Sequence, residues 1–463
     1  MELKGVKSIH FIGICGYIMS GAAVMLKKMG YKITGSDQDA YPPGTEIVDK
    51  AGIKRFKKYS PSNLDSPDLV VIGNHIRSDN PEAQTAIKKN FKIISLPELI
   101  GKIFADKKRI VIAGTHGKTT TTSLIAWCLE TADLNPSYLA GGIMQNTGRG
   151  FKLGKGDFFV VEGDEYRTAF FDQRPKFFHY KPGVAVLTTC ELDHPDYFDT
   201  LLEVKKVFLK FLNLVPENGL VVLGVDDPNI ASILGGIDKP KISYGLSREA
   251  KYRGFDIEFG TPVKFKAKTD DEFLGEFSIS LPGIINVQNA LAAIAALHFL
   301  GIDLEKIRKG IKSFSGVKRR FEIVGKPKGI TIIDDYAHHP TKIRKTLSAA
   351  RTRYKQNKIF CVFEPHTYSR TKALLSGYAR AFDQADEVII AKLMPAREKG
   401  QKPIITSRKV VGAIKKYNPN VRLIPKSLEI LEYLTSKVGK GDVVIIMSVG
   451  GLNNLARRLA SAI

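Results

Sequence analysis

Short apolar runs alternate with longer amphipathic stretches along the chain. The first three runs cover residues 8–12, 32–34 and 69–72, and an apolar-periodic stretch that ends near Met29 follows the first of them. Apolar runs bounded by glycine predict buried strands, and helix-length segments between them predict a doubly wound parallel sheet. The N-terminal part of the chain is therefore predicted to be an α/β unit.

The same alternation continues to the C-terminus. Further strands are predicted at residues 109–113, 158–161, 184–188, 220–223, 330–333, 359–363, 387–390 and 443–447. Residues 241–281 are predicted to form short antiparallel strands, and residues 288–300 a helix. We predict an α/β chain of three domains at 1–106, 107–317 and 318–463. The outer two are expected to be Rossmann-like, and the central one P-loop ATPase-like with a mainly parallel sheet.

The chain is strongly basic. Lys and Arg number 70 against 47 Asp and Glu, which gives a net charge of +23. Such a charge attracts anions, including nucleic acid, acidic membrane surfaces and phosphorylated small molecules. The basic clusters are short and carry no interleaved aromatic residues, so we expect no nucleic-acid partner.

The spacing of the cysteines and the hydropathy of the chain indicate its cellular compartment. Cys15, Cys128, Cys190 and Cys361 lie far apart, and no two form a C-x-x-C motif. Their spacing signals neither a disulfide framework nor a zinc site and is typical of a reducing cytoplasm. No apolar run reaches the ~18 residues of a transmembrane span. We therefore expect a cytoplasmic protein with no membrane partner.

A phosphate-binding loop is the strongest chemical signal. The sequence G-T-H-G-K-T-T at residues 114–120 follows an apolar strand and precedes a helical pattern. In that context glycines and a helix N-terminus direct backbone N–H groups at phosphate oxygens. Lys118 can reach the β- and γ-phosphates, and the Thr119 hydroxyl can bind Mg²⁺. The first glycine of the longer consensus is replaced by Ala113.

Acidic residues follow two later predicted strands. Glu162, Asp164 and Glu165 come after one strand, and Glu191, Asp193 and His194 after another. Ligands of open parallel sheets bind at the carboxyl ends of the strands, and Mg²⁺ takes hard oxygen ligands beside phosphate. The two groups predict a magnesium site next to the phosphate loop.

An earlier glycine turn, G-I-C-G at residues 13–16, joins the first strand to the first helix. Asp37 follows it at the end of the second strand, a position suited to a ribose contact. This turn could bind NAD, as in an NAD-dependent oxidoreductase, or a nucleotide-sugar diphosphate. It could also be purely structural.

Three segments carry a resemblance to a known family: A-G-T-H-G-K-T-T-T-T at 113–122, R-R-F-E at 319–322 and D-D-Y-A-H-H-P-T at 334–341. With them the chain resembles the Mur ligases, ATP-dependent amide-forming enzymes of peptidoglycan assembly, and within these the branch that starts from UDP-N-acetylmuramate. The resemblance implies ATP and Mg²⁺ as cofactors, an acyl phosphate intermediate, and a monomer or homodimer. It assigns the UDP-sugar, ATP and amine substrates to the three domains in order.

The resemblance also implies site residues. The ATP site would contain Gly114, Thr115, His116, Gly117, Lys118, Thr119, Thr120, Asn286, Asn289, Arg319 and Asp334. The UDP-sugar site would contain Gly13, Ile14, Cys15, Gly16, Ser36, Asp37, Asn74 and His116. The metal ligands would be Thr119, Glu162 and His194, the amine-substrate residues His338, His339 and Arg370, and the catalytic residues Lys118, His194, Arg319 and His338.

The identity of the amine depends on conflicting motifs. The segments at 13–16, 35–37, 41–43, 164–166, 169–180 and 447–451 favour the tripeptide L-alanyl-γ-D-glutamyl-meso-diaminopimelate. F-E-P-H-T-Y-S-R at 363–370 and M-P-A-R at 394–397 favour L-alanine. We expect the tripeptide, with L-alanine as the alternative. The chain also departs from the family pattern at two positions: Ile285 replaces the histidine of G-x-H-N-x-x-N, and Thr189 replaces an asparagine.

Overall fold

The N-terminal sheet has five parallel strands in the order β3-β2-β1-β4-β5. Its elements are β1 (Ser8–Ile12), α1 (Tyr17–Lys28), β2 (Lys32–Ser36), α2 (Gly44–Lys50), β3 (Lys54–Phe56), β4 (Leu69–Ile72), α3 (Pro81–Lys88), β5 (Ile93–Ser95) and α4 (Leu96–Ile103). The strand order reverses at β1, so the glycine turn at residues 13–16 lies at the switch point, where such sheets bind ligands. The computed structural model describes residues 3–38, 40–195, 197–452 and 454–463.

The middle sheet has ten strands in the order β17-β16-β15-β14-β13-β12-β6-β9-β7-β8. Its first elements are β6 (Lys108–Ala113), α5 (Lys118–Thr131), β7 (Ser137–Met144), β8 (Arg149–Lys152), β9 (Phe158–Glu162), the separate hairpin β10 (Arg167–Ala169) and β11 (Asp172–Pro175), β12 (Val184–Leu187) and α6 (Leu201–Leu212). The chain continues through β13 (Leu220–Gly224), α7 (Pro228–Ala231), β14 (Lys241–Gly245), β15 (Tyr252–Glu258), β16 (Val263–Lys268), β17 (Phe273–Ile279), α8 (Ile284–Phe299) and α9 (Leu304–Ser313).

One strand of this sheet corrects the prediction for residues 241–281. Strand β14 pairs in parallel with β13 and β15, and only β15, β16 and β17 pair antiparallel with one another. A helical crossover through α7 separates β13 from β14, which allows parallel pairing.

The third sheet has six strands in the order β18-β19-β23-β20-β21-β22, and only β18 runs antiparallel. Its elements are β18 (Glu322–Gly325), β19 (Thr331–Asp335), α10 (Pro340–Arg353), β20 (Ile359–Phe363), α11 (Tyr368–Ala373), α12 (Leu375–Ala379), β21 (Glu387–Ile390), α13 (Ser407–Ile414), β22 (Val421–Leu423), α14 (Ser427–Lys437), β23 (Val443–Met447) and α15 (Leu455–Ala462). The predicted α/β class with mainly parallel sheets is confirmed.

The two faces of β6 belong to different cores. Ile110 and Ile112 pack with α5 and α8, whereas Val111 and Ala113 belong to a cluster that continues into the N-terminal sheet. Phe104 at the end of α4 stacks on Phe159 of β9 at a centroid distance of 4.0 Å. The strand that leads into the phosphate loop is thus fixed from both sides. Among the described residues, no helix is both long and apolar enough to cross a membrane.

Candidate active site

The carboxyl end of β6 forms the predicted phosphate loop. Gly114 and Gly117 have positive φ angles of 127° and 84°. A Cβ atom on Gly117 would lie 2.8 Å from the Asn289 side-chain oxygen, and one on Gly114 would lie 2.3 Å from the Thr188 hydroxyl. Backbone conformation and space therefore both require glycine at these two positions.

The Lys118 ammonium is directed back over the loop. Its Nζ donates to the Gly114 carbonyl at 2.7 Å and to Glu165 Oε2 at 3.0 Å, and it lies 3.7 Å from Asp164. Burial alone would lower the pKa of Lys118, but Glu165 and Asp164 outweigh it and raise that pKa. The side chain therefore remains a cation at the position where a phosphate loop needs one.

Two of the three predicted metal ligands are in direct contact. The Thr119 hydroxyl donates to Glu162 Oε2 at 2.7 Å. Burial and the nearby Asp164 raise the pKa of Glu162, so a cation beside this carboxylate would stabilise its charged form. A hydroxyl and a carboxylate are hard oxygen ligands, and this pair fits Mg²⁺.

The third predicted ligand, His194, lies in the loop after β12. Its Nε2 is 3.7 Å from Glu165 Oε1, and its Nδ1 is 3.5 Å from Arg370 of the third domain. Burial lowers the pKa of His194, which favours a neutral imidazole that can bind a metal. Glu165 thus contacts both Lys118 and His194, although the sequence analysis assigned it no role of its own.

A cleft between the three sheets is lined by these residues and by others from each domain. They include Asn74, His75, Thr115, His116, Tyr166, Asn286, Asn289, Arg320, Asp335, Tyr336, His338, Lys342, Lys345 and His366. A smaller adjacent pocket is lined by Thr189, Asp226, Asn229, Gln288, Arg344 and Lys345. Asn289 and Ile285 border both cavities.

The two departures from the family pattern have different surroundings. Thr189 Oγ1 accepts the backbone N–H of His116 at 2.8 Å, so this hydroxyl supports the phosphate loop. Ile285 supplies an apolar wall to both cavities. The neighbouring amides remain polar and linked, since Asn289 Oδ1 accepts from Thr121 at 3.1 Å and Asn289 Nδ2 donates to Asn286 at 3.2 Å.

Two residues predicted for the ATP site, Arg319 and Asp334, belong to the third domain. Each is adjacent in sequence to a residue that lines the cleft. Arg319 donates to the Ser448 and Val449 carbonyls at 2.5 and 3.2 Å, and its Nε lies 3.6 Å from Asp334. Burial raises the pKa of Asp334 to about 6. The cleft itself is lined by Arg320 and Asp335.

Two of the predicted amine-substrate residues line the cleft and one does not. His338 and Arg370 line it, and the His338 carbonyl accepts the Tyr378 hydroxyl at 2.7 Å. His339 instead caps α10, where its Nδ1 accepts the Thr341 N–H at 3.3 Å.

The predicted UDP-sugar turn is held by hydrogen bonds from its backbone to residues at the end of β2. The N–H groups of Gly13 and Ile14 donate to the Ser36 carbonyl, and the Cys15 N–H donates to Asp37 at 2.8 Å. Asp37 also accepts the Tyr59 hydroxyl at 3.2 Å. The Ile14 side chain is fully buried, whereas Gly16 is exposed and is the N-cap residue of α1. Of the predicted UDP-sugar residues, Asn74 and His116 line the cleft.

Sequence reasoning missed several cations of the cleft, among them Arg320 and Lys342. Burial and the charge of Arg320 lower the pKa of Lys342 to about 8. Among 70 Lys and Arg residues, the charge pattern singled out neither. The available signal for Lys342 was its place in the first turn of the helix after H-H-P-T, where a side chain is directed toward the strand ends.

Comparisons with known proteins match almost the whole length of the chain. The Mur ligase family catalytic domain matches residues 8–108, the Mur ligase middle domain 112–297, and the Mur ligase glutamate ligase domain 319–450. The UDP-N-acetylmuramate–L-alanine ligase of Caldanaerobacter subterraneus is 38% identical over 99% of this chain and 98% of its own length. The crystal structure of UDP-N-acetylmuramate–alanine ligase from Thermotoga maritima has a TM-score of 0.82 at 26% identity, covering 98% of both chains.

The expected tripeptide specificity is wrong. Several further relatives of nearly full length, at 36–39% identity, are also UDP-N-acetylmuramate–L-alanine ligases. A murein peptide ligase from Psychrobacter arcticus is a more distant structural neighbour, with a TM-score of 0.75 at 27% identity over 99% and 98% of the two chains. The segment at 164–166, one of those that favoured the tripeptide, surrounds Lys118, and its Asp164 and Tyr166 line the same cleft as His338 and Arg370.

The NAD-dependent oxidoreductase alternative is not supported either, because all three matching domains come from one ligase family. The phosphate loop and its carboxylates lie in the middle of these three domains. By this similarity along its whole length, the chain belongs to the Mur ligase family of ATP-dependent ligases that form amide bonds.

Proposed function

We propose that this protein is the ligase that joins the lactoyl carboxylate of UDP-N-acetylmuramate to the amine of L-alanine. The observation that carries the proposal is the 38% identity, over almost the whole of both chains, to a relative with that activity. The cleft is consistent with it, because it brings a phosphate loop, carboxylates and the third domain's His338 and Arg370 to one place. Enzymes of this kind work on cytoplasmic substrates, so we place the protein in the cytoplasm.

The reaction has two steps. The substrate carboxylate attacks the γ-phosphorus of ATP, forming an acyl phosphate and releasing ADP. The amine then attacks the acyl carbon, so that an amide bond forms, phosphate leaves and the amine loses a proton. The N–H groups of the loop at 114–117 and the Lys118 ammonium would orient and neutralise the phosphate chain.

The Thr119 hydroxyl and the Glu162 carboxylate would hold Mg²⁺, with His194 as the predicted third ligand. Bound there, Mg²⁺ neutralises charge on the transferred phosphoryl group. Glu165 holds the Lys118 ammonium and faces His194, so it positions both groups.

The substrates are assigned to their binding sites by the positions of the three domains in the chain. Residues 1–106 would bind the UDP-sugar, 107–317 ATP, and 318–463 the amine. The smaller pocket, which adjoins Asn289 and the loop, would receive the adenosine end of ATP, with Asp226 and Gln288 as polar contacts. Arg370 would hold the carboxylate of alanine through a charged hydrogen bond.

The test is a competition between the two amines. The enzyme receives ATP, Mg²⁺ and UDP-N-acetylmuramate with equal concentrations of L-alanine and the tripeptide, and product masses are measured. We expect the alanine adduct, with phosphate released only when both substrates are present. Lys118→Met should abolish phosphate release, whereas Lys102→Met, at an exposed lysine paired with Glu98, should not. A product made mainly from the tripeptide would refute the assignment.

A further inference from the structure

Three metal-binding side chains converge behind the phosphate loop. Glu191 Oε2 lies 3.4 Å from His116 Nε2 and 3.8 Å from His339 Nδ1. Among the residues that the structure describes, these form a group of three potential ligands whose donor atoms all lie within 4.8 Å of one another. The three come from separate segments: the loop after β6, the loop after β12 and the start of α10.

Local hydrogen bonds fix two of the three against each other. The Thr115 hydroxyl donates to the Glu191 carbonyl at 3.1 Å and accepts the Glu191 N–H at 2.8 Å. The next residue in the chain is His116, so its ring and the Glu191 carboxylate are held in a fixed relation. The Thr341 hydroxyl also donates to Glu191 Oε2 at 2.6 Å, which brings the start of α10 to the same carboxylate.

Three of the four imidazole nitrogens in this group lack a hydrogen-bond partner among the described residues, and the fourth, His339 Nδ1, accepts the Thr341 N–H. Neither ring nitrogen of His116 has a hydrogen-bond partner among the described residues, although its side chain is only 2% exposed. Its contact with Glu191 is close but lacks the alignment of a hydrogen bond. Nε2 of His339 is also buried without a partner. Unpaired buried polar groups cost free energy, and a ligand that accepts their lone pairs removes that cost.

We propose that His116, Glu191 and His339 form a site for a transition-metal ion of the Zn²⁺ type, separate from the catalytic magnesium site. Zinc binds imidazole nitrogen and carboxylate oxygen at about 2.0–2.2 Å, which places tetrahedral ligands roughly 3.4 Å apart. The 3.4 Å between His116 Nε2 and Glu191 Oε2 already matches that value, and the three donor atoms lie within 4.8 Å of one another. Mg²⁺ prefers all-oxygen octahedral sites and is a poor fit to two imidazoles.

One neighbouring charge shapes the affinity of the site. The cation of Lys342 adds to burial in lowering the pKa of both His116 and His339. It therefore keeps the imidazoles neutral, as a metal requires, but it also repels the metal. Because these two effects of Lys342 oppose each other, we expect the metal to bind reversibly rather than as a permanent structural ion.

Occupancy of the site has a mechanical consequence. His116 directly precedes Gly117 and Lys118 of the phosphate loop, whereas His339 belongs to the third domain. A metal bound by both would tie the nucleotide-binding loop to the amine-binding domain. Since turnover requires the domains to open for product release, zinc should inhibit the enzyme.

The test uses Zn²⁺ alone on the full chain, stripped of metals with a chelator and kept in saturating Mg²⁺. Zinc affinity is measured by competition with a chromophoric chelator for wild type, His339→Gln and Glu191→Gln. His298→Gln, which removes an imidazole bonded to Tyr252 elsewhere in the middle domain, is the matched control. Glu162→Gln reports on binding at the magnesium site.

We expect one zinc per chain in wild type, His298→Gln and Glu162→Gln, and affinity lower by about tenfold or more in His339→Gln and Glu191→Gln. Equal affinity in all variants, or weakened binding in Glu162→Gln, would overturn the proposal. Zinc X-ray absorption on the wild type needs no variant: two imidazole nitrogens and a carboxylate oxygen support the site, and an all-oxygen shell refutes it. The outcome does not depend on which amine the enzyme uses.

Discussion

The Arg370 guanidinium lies 3.1 Å from Asp193 Oδ1, and this ion pair joins the third domain to the loop that carries His194. The two side chains are only 7% and 4% exposed. Burial alone would raise the pKa of Asp193, but His194 and Arg370 lower it well below its usual value. The charged pair therefore persists across the domain boundary, with Arg370 Nε buried and still without a partner among the described residues.

We assign the Arg370 guanidinium, which lines the cleft, as the donor to the carboxylate of the incoming amino acid. Arg370→Lys keeps the charge but loses the planar fork that can serve Asp193 and the substrate together. A lost charged hydrogen bond of about 1.5–3 kcal/mol corresponds to a KM for L-alanine raised roughly 10- to 150-fold. Steady-state kinetics measure it, and Arg380→Lys, at an exposed arginine bonded to Tyr417, is the control. An unchanged KM for alanine would remove Arg370 from the amine site.

Thr189 is expected to support ATP binding through the loop. Thr189→Val keeps the shape but leaves the buried His116 N–H without its acceptor, which costs about 1–3 kcal/mol. The KM for ATP should therefore rise roughly 5- to 150-fold, whereas Thr189→Ser, which retains the hydroxyl, should stay near wild type. Equal KM values for the Val and Ser variants would contradict this role.

Gly117→Ala tests the fit of the loop against Asn289. The substitution combines left-handed strain with a Cβ 2.8 Å from Oδ1 of Asn289, while Gly148→Ala has a similar φ of 69° but no atom within 4 Å. Strain alone costs about 1–2 kcal/mol. Isothermal titration with a non-hydrolysable ATP analogue should show a large loss of affinity for Gly117→Ala and little change for Gly148→Ala. Similar affinities in both variants would show that the contact with Asn289 is unimportant.

The carboxylate of Glu191 should make stability depend on pH. Burial alone would raise its pKa, but contacts with His116 and Thr341 outweigh burial and lower the pKa from 4.5 to about 2. Because the folded-state pKa is the lower one, ionised Glu191 stabilises the folded state above pH 4.5, and this contribution is lost as the pH falls toward 2.

Glu191→Gln removes that contribution. In chelator-treated protein, the difference in thermal midpoint between wild type and Glu191→Gln should be largest near neutral pH and should narrow below about pH 4.5. Thr341→Val offers a second check, since it removes a hydrogen bond to the carboxylate and should reduce the same pH dependence. A difference that is constant with pH would refute the assignment.

Local sequence predicted most of the strands, because a buried parallel strand is a continuous apolar run. The strands β1, β4, β20, β21 and β23 have the predicted bounds. Helix α8 begins at Ile284 rather than at residue 288, since its first turn carries Asn286, which resembles a loop residue. Pairing partners were harder to predict, as β14 shows, because they depend on crossovers rather than on composition.

The candidate site likewise has parts that local sequence predicts and parts that depend on contacts between distant segments. The phosphate loop is local, and its motif located it. The sequence could not show which of Arg319 and Arg320 faces the cleft. Arg319 and Phe321 have left-handed φ angles of 60° and 51°, and such residues break the side-chain alternation from which the orientation of a side chain is predicted. The contacts of Glu165 and Glu191 join segments far apart in the chain, and no local pattern contains them.

The bond between Lys118 and Glu165 has a consequence for discrimination among anions. Before any nucleotide arrives, the loop's cation already has a carboxylate as counter-ion, so nucleotide binding is an ion exchange. A weakly held anion such as inorganic phosphate gains little by displacing Glu165, whereas a metal–triphosphate brings both a polyanion for Lys118 and a cation for the released carboxylate. In the nucleotide-free enzyme, Glu165 thereby disfavours binding of the inorganic phosphate that the reaction releases.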